Sequence, residues 1–388
     1  MKKGDSMKFT KIVLAALLAV GAATAQAQDA PRNTEVYGVI GAGVVSGSGF
    51  GSSNQTFTGL GEQLHNSNRF GFKGSQDLGD GIKAGVQLES NFSARTGAAG
   101  KDSAGTGSGS STLFDREANV TLGSKQAGQL QLGRGKNFLY NVLDEFDSRG
   151  NWNFGGAKSV ARYAGFYSGS GVSRFDNMLR YTSPSFGGLK FDYAQSFGNQ
   201  LGDESYKRSY NAGVRYTAGA LDLAYTHEEA RLSNTVVSEE IDLVAAKFAV
   251  TPALTVNAGY AETRNPTAQT TYYSSSSKAD GKTDADTWFV GAKYKVSDRV
   301  SLNGGYYNVT DKINSDGKDN VKMTAVGAVY AFDKRTELFI DYVVADRASG
   351  AVSPFTIYDR WVPNGDGSTY ADSKYGQKAV AVGMQFRF

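Results

Sequence analysis

The sequence predicts an all-β fold, a transmembrane barrel of sixteen antiparallel strands. Three observations carry that expectation: two-residue hydrophobic alternation, a short-and-long rhythm of connections, and a composition rich in aromatics and glycine but poor in proline.

The alternation is clearest at the C-terminus. From Gln377 to Phe388, the residues Val380, Val382, Met384, Phe386 and Phe388 alternate with Ala379, Ala381, Gly383, Gln385 and Arg387, so one face is apolar and the other small or polar. The same period recurs at Leu189, Phe191 and Tyr193, at Leu221, Leu223 and Tyr225, at Leu254, Val256, Ala258 and Tyr260, and at Trp288, Val290, Ala292 and Tyr294. Segments of about ten residues suit tilted strands that cross a hydrocarbon layer.

Tight connections are predicted at Gln76–Asp80, Lys125–Ala127, Ser183–Ser185, Ala218–Gly219, Thr251–Pro252, Ser297–Asp298 and Asp333–Arg335, each with turn residues or charges. Between them lie longer stretches, many rich in Gly, Ser, Asn or Asp: Ser46 to Gln63, Ser93 to Thr112, Gly135 to about Gly171, Gly198 to Ser205, Arg231 to Ser238, Asn265 to Lys282, Asp311 to Asp319 and Ala348 to Gly376. Seven hairpins plus a first and a last strand give sixteen. In lipid every backbone N–H and C=O must be paired, which closure of the sheet achieves. Sixteen strands leave a lumen too wide for side chains to fill, so water is expected inside. A soluble β-sandwich or β-helix would not explain the alternation of connection lengths.

Composition fits this picture. The 388 residues include 48 Gly, 21 Tyr and 22 Phe, with 6 Pro and no Cys. Aromatic residues favour strands and proline is kept out of central ladders. The absence of cysteine excludes disulfides and thiolate metal sites. Beyond the leader, no stretch reaches the roughly 18 consecutive apolar residues of a membrane helix.

Residues 1–27 read as a secretory signal. Lys2, Lys3, Lys8 and Lys11 precede an apolar core from Ile12 to Ala23, and Ala25-Gln26-Ala27 forms an A-x-A cleavage site. Met7 is a second candidate start. Removing this leader takes four of the 41 basic and one of the 38 acidic residues, leaving 37 of each in a barrel spanning 28–388. The mature chain is therefore formally neutral, and no basic excess points to nucleic acid.

Three segments and the terminus resemble the general trimeric porins of Gram-negative bacteria. They are Asn68-Arg69-Phe70-Gly71-Phe72-Lys73-Gly74-Ser75-Gln76-Asp77-Leu78-Gly79, Leu130-Gln131-Leu132-Gly133-Arg134-Gly135, Leu179-Arg180-Tyr181-Thr182-Ser183-Pro184-Ser185-Phe186-Gly187-Gly188-Leu189, and the terminal Phe388, which looks like an assembly signal. The resemblance implies a passive diffusion pore for small hydrophilic solutes and ions, without a cofactor. It also implies a homotrimer in contact with outer-membrane lipid and lipopolysaccharide, delivered by the barrel assembly machinery.

In that family the third loop folds inward and faces wall arginines across a constriction. The stretch from Gly135 to about Gly171 occupies that place and carries Asp144, Glu145 and Asp147 as candidate loop acids, with Asn153 where relatives often have an acidic residue before Phe-Gly-Gly. The resemblance assigns Arg69, Arg134 and Arg174 to the wall. Parity turns Arg69 and Lys73 inward opposite Phe70 and Phe72, and turns Arg174 and Arg180 inward opposite Phe175, Leu179 and Tyr181. Arg134 and Arg116 share parity with apolar neighbours; Arg134 needs a bulge to turn inward, and Arg116 is a weaker candidate, suited to a subunit interface. More basic groups than acids then lean the pore weakly toward anions.

Other classes fit less well. An outer-membrane hydrolase would need Ser or Asp beside His, but His65 and His227 lie far apart without a nucleophile motif and read as surface residues near loop ends. A substrate-specific channel is the nearer rival, yet most aromatics have outward parity and the basic residues are dispersed. A filled structural barrel would not explain one long, partly apolar loop in third place.

Overall fold

The computed structural model describes residues 33–50, 55–99, 112–150, 152–157, 159–160, 174–203, 206, 208–230, 239–265, 283–312, 320–347 and 377–388. The predicted signal, most of the long connections and the predicted cleavage site lie outside the described residues.

The chain is a closed antiparallel β-barrel of sixteen wall strands. Seventeen strand segments build it: β1 (Asn33–Phe50), β2 (Gln55–Glu62), β3 (Arg69–Gly79), β4 (Ile82–Asn91), β5 (Glu117–Ser124), β6 (Gly128–Lys136), β7 (Arg174–Thr182), β8 (Leu189–Ser196), β9 (Tyr210–Ala218), β10 (Leu221–Ala230), β11 (Glu239–Ala249), β12 (Leu254–Asn265), β13 (Thr283–Lys295), β14 (Val300–Asp311), β15 (Val321–Ala331), β16 (Thr336–Arg347) and β17 (Gln377–Arg387). From β3 on, each pairs with the next in sequence, β1 pairs with both β2 and β3, and β1 pairs with β17 from Val39↔Arg387 to Ser48↔Lys378, which closes the seam. Phe388 completes that seam: its N–H donates to the Gly38 carbonyl at 3.1 Å, and its carbonyl accepts from Gly38 N–H at 3.0 Å.

The extra segment arises because β2 and β3 are two halves of one wall strand. β1 pairs Ala42 with Glu62 and Val39 with Arg69, so residues 63–68 leave the ladder opposite only Ile40 and Gly41. Gln63 takes φ 56°, a left-handed conformation that starts the detour. Asn68 repairs the gap by accepting from Gly41 N–H at 2.7 Å through its side-chain oxygen.

All seven predicted tight turns join adjacent strands. The stretch from Ser46 to Gln63 differs: Ser46–Phe50 and Gln55–Glu62 are ladder strands despite their Gly, Ser and Thr content. Small polar residues pair as well as large ones when a register partner is present, so composition misled there.

Outward faces carry the alternating apolar residues, among them Leu302, Val326, Ile340 and Val382, all exposed. The opposite face divides. On β3 to β8 it is largely polar, whereas on β11 to β17 it holds Ile241, Leu243, Phe289, Tyr307, Met323, Phe339 and Val343, all buried. These apolar residues share one cluster with Leu139, Leu143, Phe146 and Phe154 from the β6–β7 connection.

Candidate functional site

The β6–β7 connection opens with a helix, α1 (Phe138–Phe146). Asn137 caps it by accepting from Tyr140 N–H at 2.9 Å, and its amide donates to Glu228 Oε2 of β10 at 2.6 Å. Leu139, Val142, Leu143 and Phe146 fall at helical spacing and form the buried face. That period is present in the sequence, inside the long third connection.

Beyond α1 the chain is bonded to residues of β14 and β16. Asp147 accepts from Tyr307 O–H at 2.7 Å and from Ala157 N–H at 2.8 Å. Ser148 donates to the Gly304 carbonyl at 2.7 Å. Arg149 is sealed from solvent and donates to Asp341 Oδ1 at 2.8 Å, to Asn303 and to the Phe154 carbonyl. Gly155, at φ 74°, lies so close to Val343 and Ala325 that a Cβ would clash. Asn153 donates to the Gln63 carbonyl at 2.6 Å, which ties the same segment to the break in the second wall strand.

Opposite α1, a cavity of about 630 Å³ is bounded by the polar faces of β3 to β7. Five basic residues line it, Arg69, Lys73, Arg116, Lys136 and Arg180, against three carboxylates, Glu89, Glu117 and Asp144. The charges are interlocked. Glu89 receives Arg116 in a short contact and Arg69 at 3.5 Å, and Tyr37 O–H donates to it at 2.9 Å. Arg180 is paired with Asp192 at 2.8 Å and donates to the Lys136 carbonyl at 2.9 Å, while Lys136 reaches Asp144 at 2.8 Å. The Tyr140 ring carries the Lys136 ammonium at 4.8 Å and the Arg174 guanidinium at 5.2 Å.

The structure therefore brings Arg69, Lys73, Arg180 and Asp144 together around one cavity. Arg174 stands at its margin, 3.6 Å from Glu117. Arg134 stands apart from the cavity lining: it donates to the Asp115 carbonyl at 2.7 Å and pairs with the exposed Asp176. Glu145 pairs with Arg215 of β9, and Asp147 is buried behind the segment, so neither lines this cavity.

Three expectations need correction. Phe175 is buried with Met178 and Ala194, not outward, because Asn177 at φ 50° introduces a bulge that reverses parity at the start of β7. Arg116 precedes β5 and escapes its alternation, so it lines the cavity and is buried against Glu89 and Asn91. His65 is buried in the strand break and bonded to Asp341, not on the surface. His227, by contrast, is partly exposed near the end of β10, 3.0 Å from Asp242. Sequence reasoning also passed over Lys136, Glu89 and Glu117. The inward glycines Gly291 and Gly327 were a usable signal, since a Cβ there would strike Ser148 or the Asp341–Arg149 pair.

The Gram-negative porin family profile matches residues 14–349. An outer membrane porin protein of Bordetella pertussis is 26% identical over 371 residues, spanning 84% of this chain and 92% of that relative. Among solved structures, the anion-selective porin from Comamonas acidovorans superposes with a TM-score of 0.70 at 19% identity, covering 92% of this chain and 100% of that one. The trimer form of OmpT from Vibrio cholerae gives 0.58 at 14% identity, covering 92% and 99%. With a closed barrel, outward apolar strands and a charged inner cavity, the chain belongs to the Gram-negative porin family, channel proteins of the outer membrane.

Proposed function

We propose that this porin is a homotrimer whose β6–β7 connection folds inward as a constriction and whose pore passes small hydrophilic solutes and ions with a weak lean toward anions. The observation that carries the lean is the cavity lining, five basic residues against three carboxylates. Low-dielectric walls focus that imbalance at the narrowest section. The Comamonas protein's description as anion-selective goes the same way. Contacts of α1 with β8 to β12, and of the segment beyond it with β14 and β16, support the inward fold. Among the lining residues the aromatic side chains are Tyr140 and His65, which favours a general pore over a sugar track. Residues 1–27 would be removed on export, leaving 28–388, with Phe388 read by the barrel assembly machinery and lipopolysaccharide against the outer face.

The test is the zero-current potential in a salt gradient across a planar bilayer. The wild-type pore should favour anions, and Arg69→Gln with Lys136→Gln should shift the potential toward cations. A cation-selective wild type, or an unchanged potential in the double variant, would remove these residues from the constriction.

A further inference from the structure

His65 sits in the break in the second wall strand, stacks on the segment beyond α1 and bonds to β16. Its ring is stacked between Trp152, at 3.4 Å and 12°, and Phe339, at 3.7 Å. Nε2 lies 2.6 Å from Asp341 Oδ2, and the other Asp341 oxygen takes Arg149. Nδ1 faces Glu337 at 3.7 Å, has no hydrogen-bond partner and is sealed from solvent. Around the ring the backbone pairs as well: Asn153 N–H donates to the His65 carbonyl at 3.2 Å and Phe154 N–H to the Leu64 carbonyl at 2.8 Å. The charged groups that face this imidazole are Asp341 and Glu337 from β16, Arg149 behind Asp341, and Arg387 of β17, which holds Glu337 at 2.9 Å.

We propose that His65 is a protonation-dependent clasp that positions the constriction segment against the barrel wall. The inference rests on the inward fold proposed above. With a neutral ring, Nε2–H donates to Asp341 and Nδ1 is left as an unused acceptor beside a carboxylate. With a protonated ring, Nδ1–H gains a donor's role toward Glu337. The segment is then held between two carboxylates of β16, one already fixed by Arg149 and the other shared with Arg387. Glu337 lies one residue into β16 beside the tight turn, so the clasp is addressed from the turn end of the barrel. Acidification should tighten the segment, and loss of the imidazole should free it.

Trp152 provides a readout that does not depend on transport. In the full chain carrying Trp288→Phe and Trp361→Phe, emission then comes from Trp152, and a stacked imidazolium quenches an excited indole more strongly than a neutral ring does. On acidification, emission should fall in the refolded barrel. His65→Phe keeps the stack and should abolish the fall. Glu337→Gln keeps the imidazole, removes the second negative charge beside it, and should move the fall to lower pH; this variant carries the test if His65→Phe does not refold. In bilayers the same titration should quieten open-channel current fluctuations in wild type and leave them unchanged in His65→Phe. A pH-independent Trp152 emission in wild type, or a response that survives His65→Phe, would overturn the clasp. A pH-dependent emission with no conductance would instead count against the pore reading.

Discussion

Arg149 and Asp341 are both sealed from solvent, and each is the main counter-charge of the other. Removing one partner of such a pair leaves a buried charge uncompensated, at a cost of about 3–5 kcal/mol, whereas an apolar pair of similar volume is often neutral. Asp341→Ala should therefore lower the denaturant midpoint of the refolded barrel markedly, and Arg149→Met with Asp341→Leu should recover most of the loss. Equal destabilisation by the single and double variants would show that the pair matters through packing alone. Asp147 acts differently. Burial pushes its carboxyl above the ordinary range, against the opposing effect of the N–H and O–H groups that donate to it. A raised folded value means that the folded state binds the proton more tightly, so this contribution is present at low pH and is lost as pH rises through the raised value. Asp147→Asn, which resembles the protonated form, should flatten that dependence in a series of unfolding midpoints above about pH 4. The inward facing of Arg69 and Arg180 was legible from parity because regular strands place them, whereas Asp144 was a candidate only through the family resemblance, and the helix that carries it was not read. His65 and Arg116 were not legible, since each stands where the ladder is interrupted and alternation carries no information.

At the scale of elements, turns and the β6–β7 segment obey different rules. The turn between β15 and β16 is fixed by Asp333, which accepts from Arg335 N–H at 2.8 Å and Thr336 N–H at 2.7 Å. Those bonds hold its carboxyl below the usual range. A depressed value means that the contribution is present at neutral pH and disappears as pH falls through it, the reverse of Asp147. Asp333→Ala should accordingly lower stability near neutrality and converge with wild type in strong acid. Such turns were readable because Asp, Gly and Pro announce local geometry. The segment beyond α1 was readable only as long and partly apolar, because its partners lie on strands more than a hundred residues away. Gly155 tests how closely it is seated. Gly155→Val combines a left-handed φ with a side chain directed at Val343 and Ala325, so it should lift the segment off the wall toward the cavity. Single-channel conductance should fall while heat-modifiable gel mobility persists; an unchanged conductance would place the segment away from the ion path.

The whole barrel was legible because its two governing patterns, outward alternation and paired strand ends, are each repeated many times, so that a local irregularity such as the break at 63–68 changes one strand without changing the plan. What the repetition conceals is that the outer surface is not uniform. On β9 to β15 the exposed residues include Tyr216, Tyr225, Tyr260, Trp288, Tyr294 and Tyr330, the amphipathic rings expected at a lipid–water boundary. Around the seam, β1, β2, β4, β5 and β17 expose mainly aliphatic side chains instead: Val36, Ile40, Val44, Leu60, Val86, Val120, Val380, Val382 and Met384. Val44 sits opposite Val382 on one side and Leu60 on the other, a row of modest side chains across three adjacent strands. Largely aliphatic apart from Phe72, Phe386 and Phe388, and without an exposed Tyr or Trp among the described residues of these strands, this face suits close packing against a copy of itself, and it is where the proposed trimer should form. Val44→Trp with Val382→Trp raises the row without adding charge, so a lipid-exposed monomer would tolerate it while a packed interface would not. The double variant should run as a heat-modifiable monomer on detergent gels and retain conductance in bilayers, since each pore is complete within one chain. A trimer band as strong as that of wild type would move the interface to another part of the wall.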